Sequence, residues 1–123
     1  MKKTNIKNFK KTLSKFITGI TVVCVKKNNK IYGKTVNSFN SLSLKPPLVL
    51  FSLGNYSSSL NVFSESKYLS INILSKNQKK ISECFSGKKP VADSSNFEEI
   101  NENIYFINGC IANLHCELIQ KIK

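Results

Sequence analysis

Gly33-Lys-Thr-Val-Asn-Ser-Phe-Asn-Ser-Leu-Ser-Leu-Lys-Pro-Pro47 is the stretch on which the fold turns. It begins as a strand and ends in a double proline. Thr35, Asn37, Ser38, Asn40, Ser41 and Ser43 supply hydroxyls and amides, interrupted by Val36, Phe39, Leu42 and Leu44. A solvent loop does not need that many apolar residues, and a core strand does not take so many polar ones without partners. The pattern suits a wall that is half core and half polar binding surface, for a ligand rich in hydrogen-bond acceptors. Lys45-Pro46-Pro47 cannot be helix, because Pro47 holds Pro46 extended; it directs the chain into the next strand.

Upstream, residues 5–17 carry a helical period, with Ile6, Phe9, Leu13 and Phe16/Ile17 on one face and Lys on the other. Thr4 or Asn5 can cap the start. Packing of this face on a sheet is expected, ahead of a membrane-surface role. Thr18-Gly19 ends the helix. Ile20-Thr-Val-Val-Cys-Val25 is β-branched and almost continuously apolar, as a central strand is. Lys26-Lys-Asn-Asn-Lys30 reads as a hairpin turn, and the return strand runs from Ile31 into the Gly33 stretch.

Downstream, Leu48–Leu53 reads as a core strand that stops at Gly54-Asn55, and Ser57-Ser-Ser59 leads into a short helix over about 58–65. Tyr68–Leu74 is a strand, with Tyr68, Ser70, Asn72 and Leu74 on one side and Leu69, Ile71 and Ile73 on the other. Asn72 is a polar residue in an apolar strand and requires a partner. Ser75-Lys-Asn-Gln78 has capping-box spacing for a helix running to about Phe85, with Gly87 as its stop. Residues 88–101 are polar and aperiodic and read as a loop. Ile104–Ile107 is a short strand. In Cys110–Ile119, Ala112, Leu114, Cys116 and Leu118 face in, while Asn113, His115 and Glu117 face out. Six strands and three short helices without regular alternation predict a single domain, residues 1–123: a mainly antiparallel barrel with appended helices.

The chain carries 19 basic and 7 acidic residues, a formal charge of +12, and every basic residue is Lys. Arg forks, the usual grip on base edges and phosphates, are absent, which weighs against nucleic acid. Residues 1–89 hold 17 Lys and two Glu, whereas residues 90–123 hold two Lys and five acids. The charge is read mainly as compositional bias and solvated surface, with attraction of an anionic small molecule as the other reading. Cys24, Cys84, Cys110 and Cys116 include no C-x-x-C pair, and His115 is the one histidine, so no metal site is expected. Buried free thiols point to a reducing compartment. No signal core and no membrane-spanning run is evident. The expectation is a cytoplasmic protein with no membrane partner.

Catalytic sets are scarce. Before residue 90 the only acids are Glu65 and Glu83, which leaves no carboxylate pair for hydrolysis. No G-x-S-x-G elbow, Walker loop or G-x-G-x-x-G run occurs. No catalytic side chain is therefore assigned; a polar cradle becomes a catalyst when a cofactor carries the chemistry. Thr35–Ser41 can hydrogen-bond a heteroaromatic edge or form a polar bulge. Ser52-Leu53-Gly54 ends a strand with exposed backbone. Ser57–Ser59 can meet phosphate or simply cap a helix.

The order of motifs adds more. Phe16-Ile-Thr-Gly-Ile-Thr-Val-Val23 is followed by Gly33-x-Thr-x-Asn-Ser-Phe-x-Ser-x-Ser-Leu-x-Pro-Pro-Leu-Val-Leu50, Ser57-x-Ser59, Ile71-Asn-Ile-Leu-Ser75-x-x-Gln78 and Cys84-Phe85. Over residues 5–120 this closely resembles the flavin reductase family, the small reductase components of two-component flavin-dependent monooxygenases. The resemblance implies an antiparallel split β-barrel of the FMN-binding type. It implies FMN or FAD as cofactor, NADH or NADPH as hydride donor, a homodimer, and a monooxygenase component as partner. By the same resemblance, Lys34, Thr35, Val36, Asn37, Ser38, Ser41 and Leu42 would lie along the ring and ribityl chain. Ser52, Leu53 and Gly54 would flank the ribityl-phosphate, Ser58 and Ser59 would meet the phosphate, and Phe85 would close the pocket. In the family a Gly-Asp-His segment and further strands follow the strand that ends here. The barrel is therefore expected to be incomplete at the C-terminus and pyridine-nucleotide binding weak or absent. The alternatives are a flavin-binding module without reductase activity and, more remotely, a basic nucleic-acid-binding barrel.

Overall fold

The computed structural model describes residues 5–13, 19–54, 60–87, 95–101 and 104–122. In chain order the elements are α1 (Ile6–Leu13), β1 (Thr21–Lys27), β2 (Lys30–Val36), β3 (Asn40–Leu44), β4 (Pro47–Leu50), α2 (Leu60–Glu65), β5 (Tyr68–Ile73), α3 (Lys79–Cys84), β6 (Phe97–Asn101), β7 (Ile104–Ile107) and β8 (Ala112–Glu117). Among the described residues every strand pairing is antiparallel. A four-stranded sheet runs β2-β1-β5-β8, accompanied by the ribbons β3-β4 and β6-β7. The mainly β, antiparallel architecture with short helices is the one expected.

β1 lies inside the main sheet, and Thr21–Val25 is buried without a break, as its β-branched run requires. Its alternate residues feed two apolar clusters on opposite faces. Val22 and Cys24 join Ile31, Leu74, Phe85 and Ile107 in the first. Val23 and Val25 join Val36, Phe63, Leu69 and Ile71 in the second, with Phe39, Val49, Phe51 and Leu53 packed against it. The β1–β2 turn has two residues, Asn28 (φ 53°) and Asn29 (φ 63°). This is the left-handed geometry that a tight hairpin needs, and Asn tolerates it better than other non-glycine residues.

Several expectations change. The run read as one strand from Ile31 through the Gly33 stretch breaks at Asn37–Phe39, so β2 and β3 belong to different sheets. β4 is shorter than Leu48–Leu53, and Phe51–Leu53 leave the strand. The Lys45–Pro46 bond is cis. Residues 97–101, read as loop, form β6, which pairs with β7, so eight strands rather than six are present among the described residues. The Ser75–Gln78 capping spacing makes a turn ahead of α3: the Ser75 N–H donates to Gln78 Oε1 (2.8 Å), and the helix begins only at Lys79. Asn5 does cap α1, its Oδ1 accepting from the Lys7 N–H (2.8 Å). Ile6 and Phe9, however, remain 73% and 52% exposed, so this part of the apolar face is not covered by the sheet. In β8, Leu114 is exposed and Asn113 half-buried, because Asn113 turns toward Asn72.

Candidate functional site

The Gly33 stretch is built against α3. Gly33 is needed there because a Cβ would fall within the Phe85 ring. Two residues on, Thr35 Oγ1 donates to the Ser82 carbonyl (2.7 Å) and the Thr35 N–H to the Phe85 carbonyl (3.1 Å). Ile31, Gly33 and Thr35 turn to the face of the first cluster; Tyr32, Lys34 and Val36 turn to the second.

After Val36 the chain leaves the sheet, and a second clasp follows. Ser38 Oγ accepts from the Ser52 N–H (2.8 Å) and donates to the Ser52 carbonyl (3.3 Å). One hydroxyl thereby joins the loop before β3 to the segment after β4. Around it Asn37, Asn40, Ser41, Ser52 and Gly54 are exposed, and Gly54 has open space where a Cβ would stand. Phe39, Phe51 and Leu53 alternate with these polar groups and seat the segment on the second cluster. Apolar backing below and hydroxyl, amide and backbone donors above suit a planar, acceptor-rich ligand.

Of the residues singled out, Asn37, Ser38, Ser41, Ser52, Leu53 and Gly54 come together in this wall. Lys34 is half-buried on β2 and Val36 is buried beneath it. Leu42 is 62% exposed on β3. Thr35 is engaged with α3, and Phe85 is buried in the first cluster, across the sheet from the Ser38–Ser52 clasp. Ser58 and Ser59 lie outside the described residues.

An apolar cleft of about 140 Å³ between α3 and the β6–β7 ribbon was not foreseen from the sequence. Ile81, Phe85, Phe97 and Ile107 line it, with Lys80, Cys84 and Asn96. Reading residues 88–101 as a loop hid this cleft, since β6 carries Phe97. Phe97 meets Phe85 edge-on (6.0 Å between centroids).

Among the described residues no activated nucleophile emerges. Burial pushes the Cys24, Cys110 and Cys116 thiols up from their ordinary value. His115 is exposed and packs edge-on to Tyr68 (5.5 Å). Among the described residues no three His, Cys, Asp or Glu side chains gather as a metal would require. The ion pairs Lys27–Glu65 (2.8 Å) and Lys79–Glu83 (4.0 Å) lie outside the wall. No described helix is long and apolar enough to cross a membrane.

Comparison with known proteins agrees on one family. Residues 13–123 match the family described as "Flavin reductase like domain". FMN reductase (NADH) SmoA of Agrobacterium fabrum is 38% identical over 112 residues, which is 91% of this chain and 64% of that protein. Flavin reductase PheA2 superposes with a TM-score of 0.84 at 34% identity, over 98% of this chain and 78% of that one. The NADH:FAD oxidoreductase SgcE6 of Streptomyces globisporus, solved with NAD and FAD fragments, gives a TM-score of 0.81 at 26% identity, over 100% and 77%. The chain spans less than half the length of some other relatives, 45% of a Mycobacterium tuberculosis monooxygenase reductase subunit among them.

Proposed function

The chain belongs to the flavin reductase-like domain family, and on that footing we propose that it binds FMN or FAD and reduces it with NADH or NADPH, supplying reduced flavin to a monooxygenase component. The observation that carries this reading is the family match across residues 13–123. The polar wall supports it, since its neutral donors and apolar backing fit a flavin as well as its chemistry demands. The flavin, bound as cofactor or passed through as substrate, supplies the hydride chemistry.

The residues bind and orient. Lys34, Val36, Asn37, Ser38, Ser41 and Leu42 run along the ring and ribityl chain, with Asn37 and Ser41 offering side-chain hydrogen bonds. Ser52, Leu53 and Gly54 flank the ribityl-phosphate, and the open position at Gly54 lets backbone approach the ligand. Ser58 and Ser59 are assigned to the phosphate. Phe85 acts from beneath the sheet by fixing the β2 backbone. Stacking a nicotinamide on the flavin ring requires position rather than an acid or base, so no catalytic side chain is required. Exposed Leu42, Leu44 and Leu50 on the β3–β4 ribbon favour a homodimer, and the free thiols favour the cytoplasm.

The test is anaerobic. The purified protein is given FMN and then NADH or NADPH, and the flavin absorbance is followed. Uptake with catalytic bleaching is the expected outcome; a protein that takes up no flavin removes the reading. Uptake without bleaching would instead select a flavin-binding module without reductase activity.

A further inference from the structure

We infer that Thr35 is a positioning residue, one that sets the flavin wall by holding α3 and does not itself touch the flavin. The inference rests on the reading of Asn37–Ser41 and Ser52–Gly54 as that wall.

A helix leaves its last carbonyls without intrahelical donors. At the end of α3, Thr35 supplies donors to two carbonyls: its hydroxyl to Ser82 (2.7 Å) and its N–H to Phe85 (3.1 Å). The Ser82 carbonyl also accepts from Ser86 Oγ (2.8 Å). β2 is an outer strand of the sheet, so without α3 the Thr35 N–H would point from an open edge. Gly33, on the same side of β2, lets the Phe85 ring close against the backbone. Gly33 and Thr35 therefore form one clamp on the turn Ser82–Phe85.

The clamp lies on the face of the first cluster, whereas the wall is seated on the second. The Thr35 hydroxyl thus points away from the wall, and its one proton is committed to Ser82. Yet Asn37, where the wall begins, is only two residues further along. The direction in which the chain leaves β2 is fixed by pairing with β1 (Val22↔Thr35, Thr21↔Val36) on one side and by the α3 clamp on the other. Releasing the clamp frees one side of that exit, and the Ser38–Ser52 clasp inherits the slack.

The experiment compares wild type, Thr35→Val and Thr35→Ser. The clamp exists with and without flavin, so its loss raises the FMN dissociation constant only through the ordering of the wall, by up to about tenfold for Thr35→Val, and Thr35→Ser should stay within about twofold. The absorbance spectrum at saturating FMN should be unchanged in Thr35→Val, because no contact to the ring has been lost. Amide hydrogen exchange at residues 37–41 in the flavin-free protein should be faster than in wild type. A shifted saturated spectrum, or unchanged exchange at 37–41, overturns the inference in favour of a direct contact or of no role. If Thr35→Val does not fold, Thr35→Cys, with a weaker donor of similar size, should show the same signs with about a threefold loss. If wild type takes up no FMN, the flavin reading fails, and the exchange measurement alone still decides whether Thr35 orders the wall.

Discussion

Asn72 has no exposed surface, and both ends of its amide are matched. Its Nδ2 donates to the Val22 carbonyl (3.0 Å) and Ser70 Oγ (3.1 Å); its Oδ1 accepts from the Ile107 N–H (3.1 Å) and Asn113 Nδ2 (2.8 Å). The sequence revealed the need for partners, because an amide in an apolar strand must have them. Apart from Ser70 on the same strand, their identity was not legible, since they come from β1, β7 and β8, far along the chain. Asn72→Ala leaves a buried carbonyl and N–H without partners and should cost about 2–4 kcal/mol, read as a lower urea midpoint. A variant as stable as wild type would show that water or neighbours replace the amide. Cys24 acts through protonation instead. Burial raises its thiol well above the ordinary 9.0, with the Cys110 charge adding to the rise and the Ser70 hydroxyl opposing it. The folded state keeps the proton that the unfolded state gives up, so this contribution is fully present below pH 9.0 and declines as pH rises above it. Cys110 and Cys116 shift the same way. Cys24→Val should flatten, without abolishing, the alkaline limb of a stability-against-pH profile; an unchanged slope would sink the assignment.

Among the elements, those whose apolar runs are β-branched were readable in advance: β1, β5 and β7 stand close to where the sequence put them. β6 was not readable, because Phe97-Glu-Glu-Ile-Asn101 is mostly exposed and gains its order only by pairing with β7. The wall was half legible. Its polar residues could be named from the alternation of hydroxyls with Phe39 and Leu53. The break at Asn37, which turns one strand into two sheets, depends on the Ser38–Ser52 clasp between segments distant in sequence. Which face of β2 Thr35 takes was not legible either: a one-dimensional motif does not say that its hydroxyl meets the Ser82 carbonyl. The β1–β2 hairpin carries an element-scale expectation. Asn29 holds φ 63° at the second turn position, where glycine avoids the Cβ conflict. Asn29→Gly should raise stability by about 0.5–1 kcal/mol, measured by thermal unfolding; a loss would mean that the side chain contributes a bond worth more than the relieved strain.

For the whole molecule, the two margins of the main sheet are treated unequally. β2 is covered where Thr35 meets Phe85, and it carries Lys30 and Lys34. β8 is the opposite margin, reads Ala-Asn-Leu-His-Cys-Glu, and has neither Lys nor Pro to discourage a neighbour. Leu114 and, just outside the strand, Ile111 and Ile119 are exposed beside it. The formal charge of +12 opposes such association, by a repulsion that reaches about 10 Å at 0.1 M salt and about 3 Å at 1 M. The colloidal behaviour follows: added salt, which leaves the sheet intact, should drive growth of assemblies larger than a dimer, seen as rising light scattering. Leu114→Lys should suppress that growth. Scattering that falls with salt would place the sticky surface elsewhere. Handling this protein is therefore a matter of ionic strength before it is one of temperature.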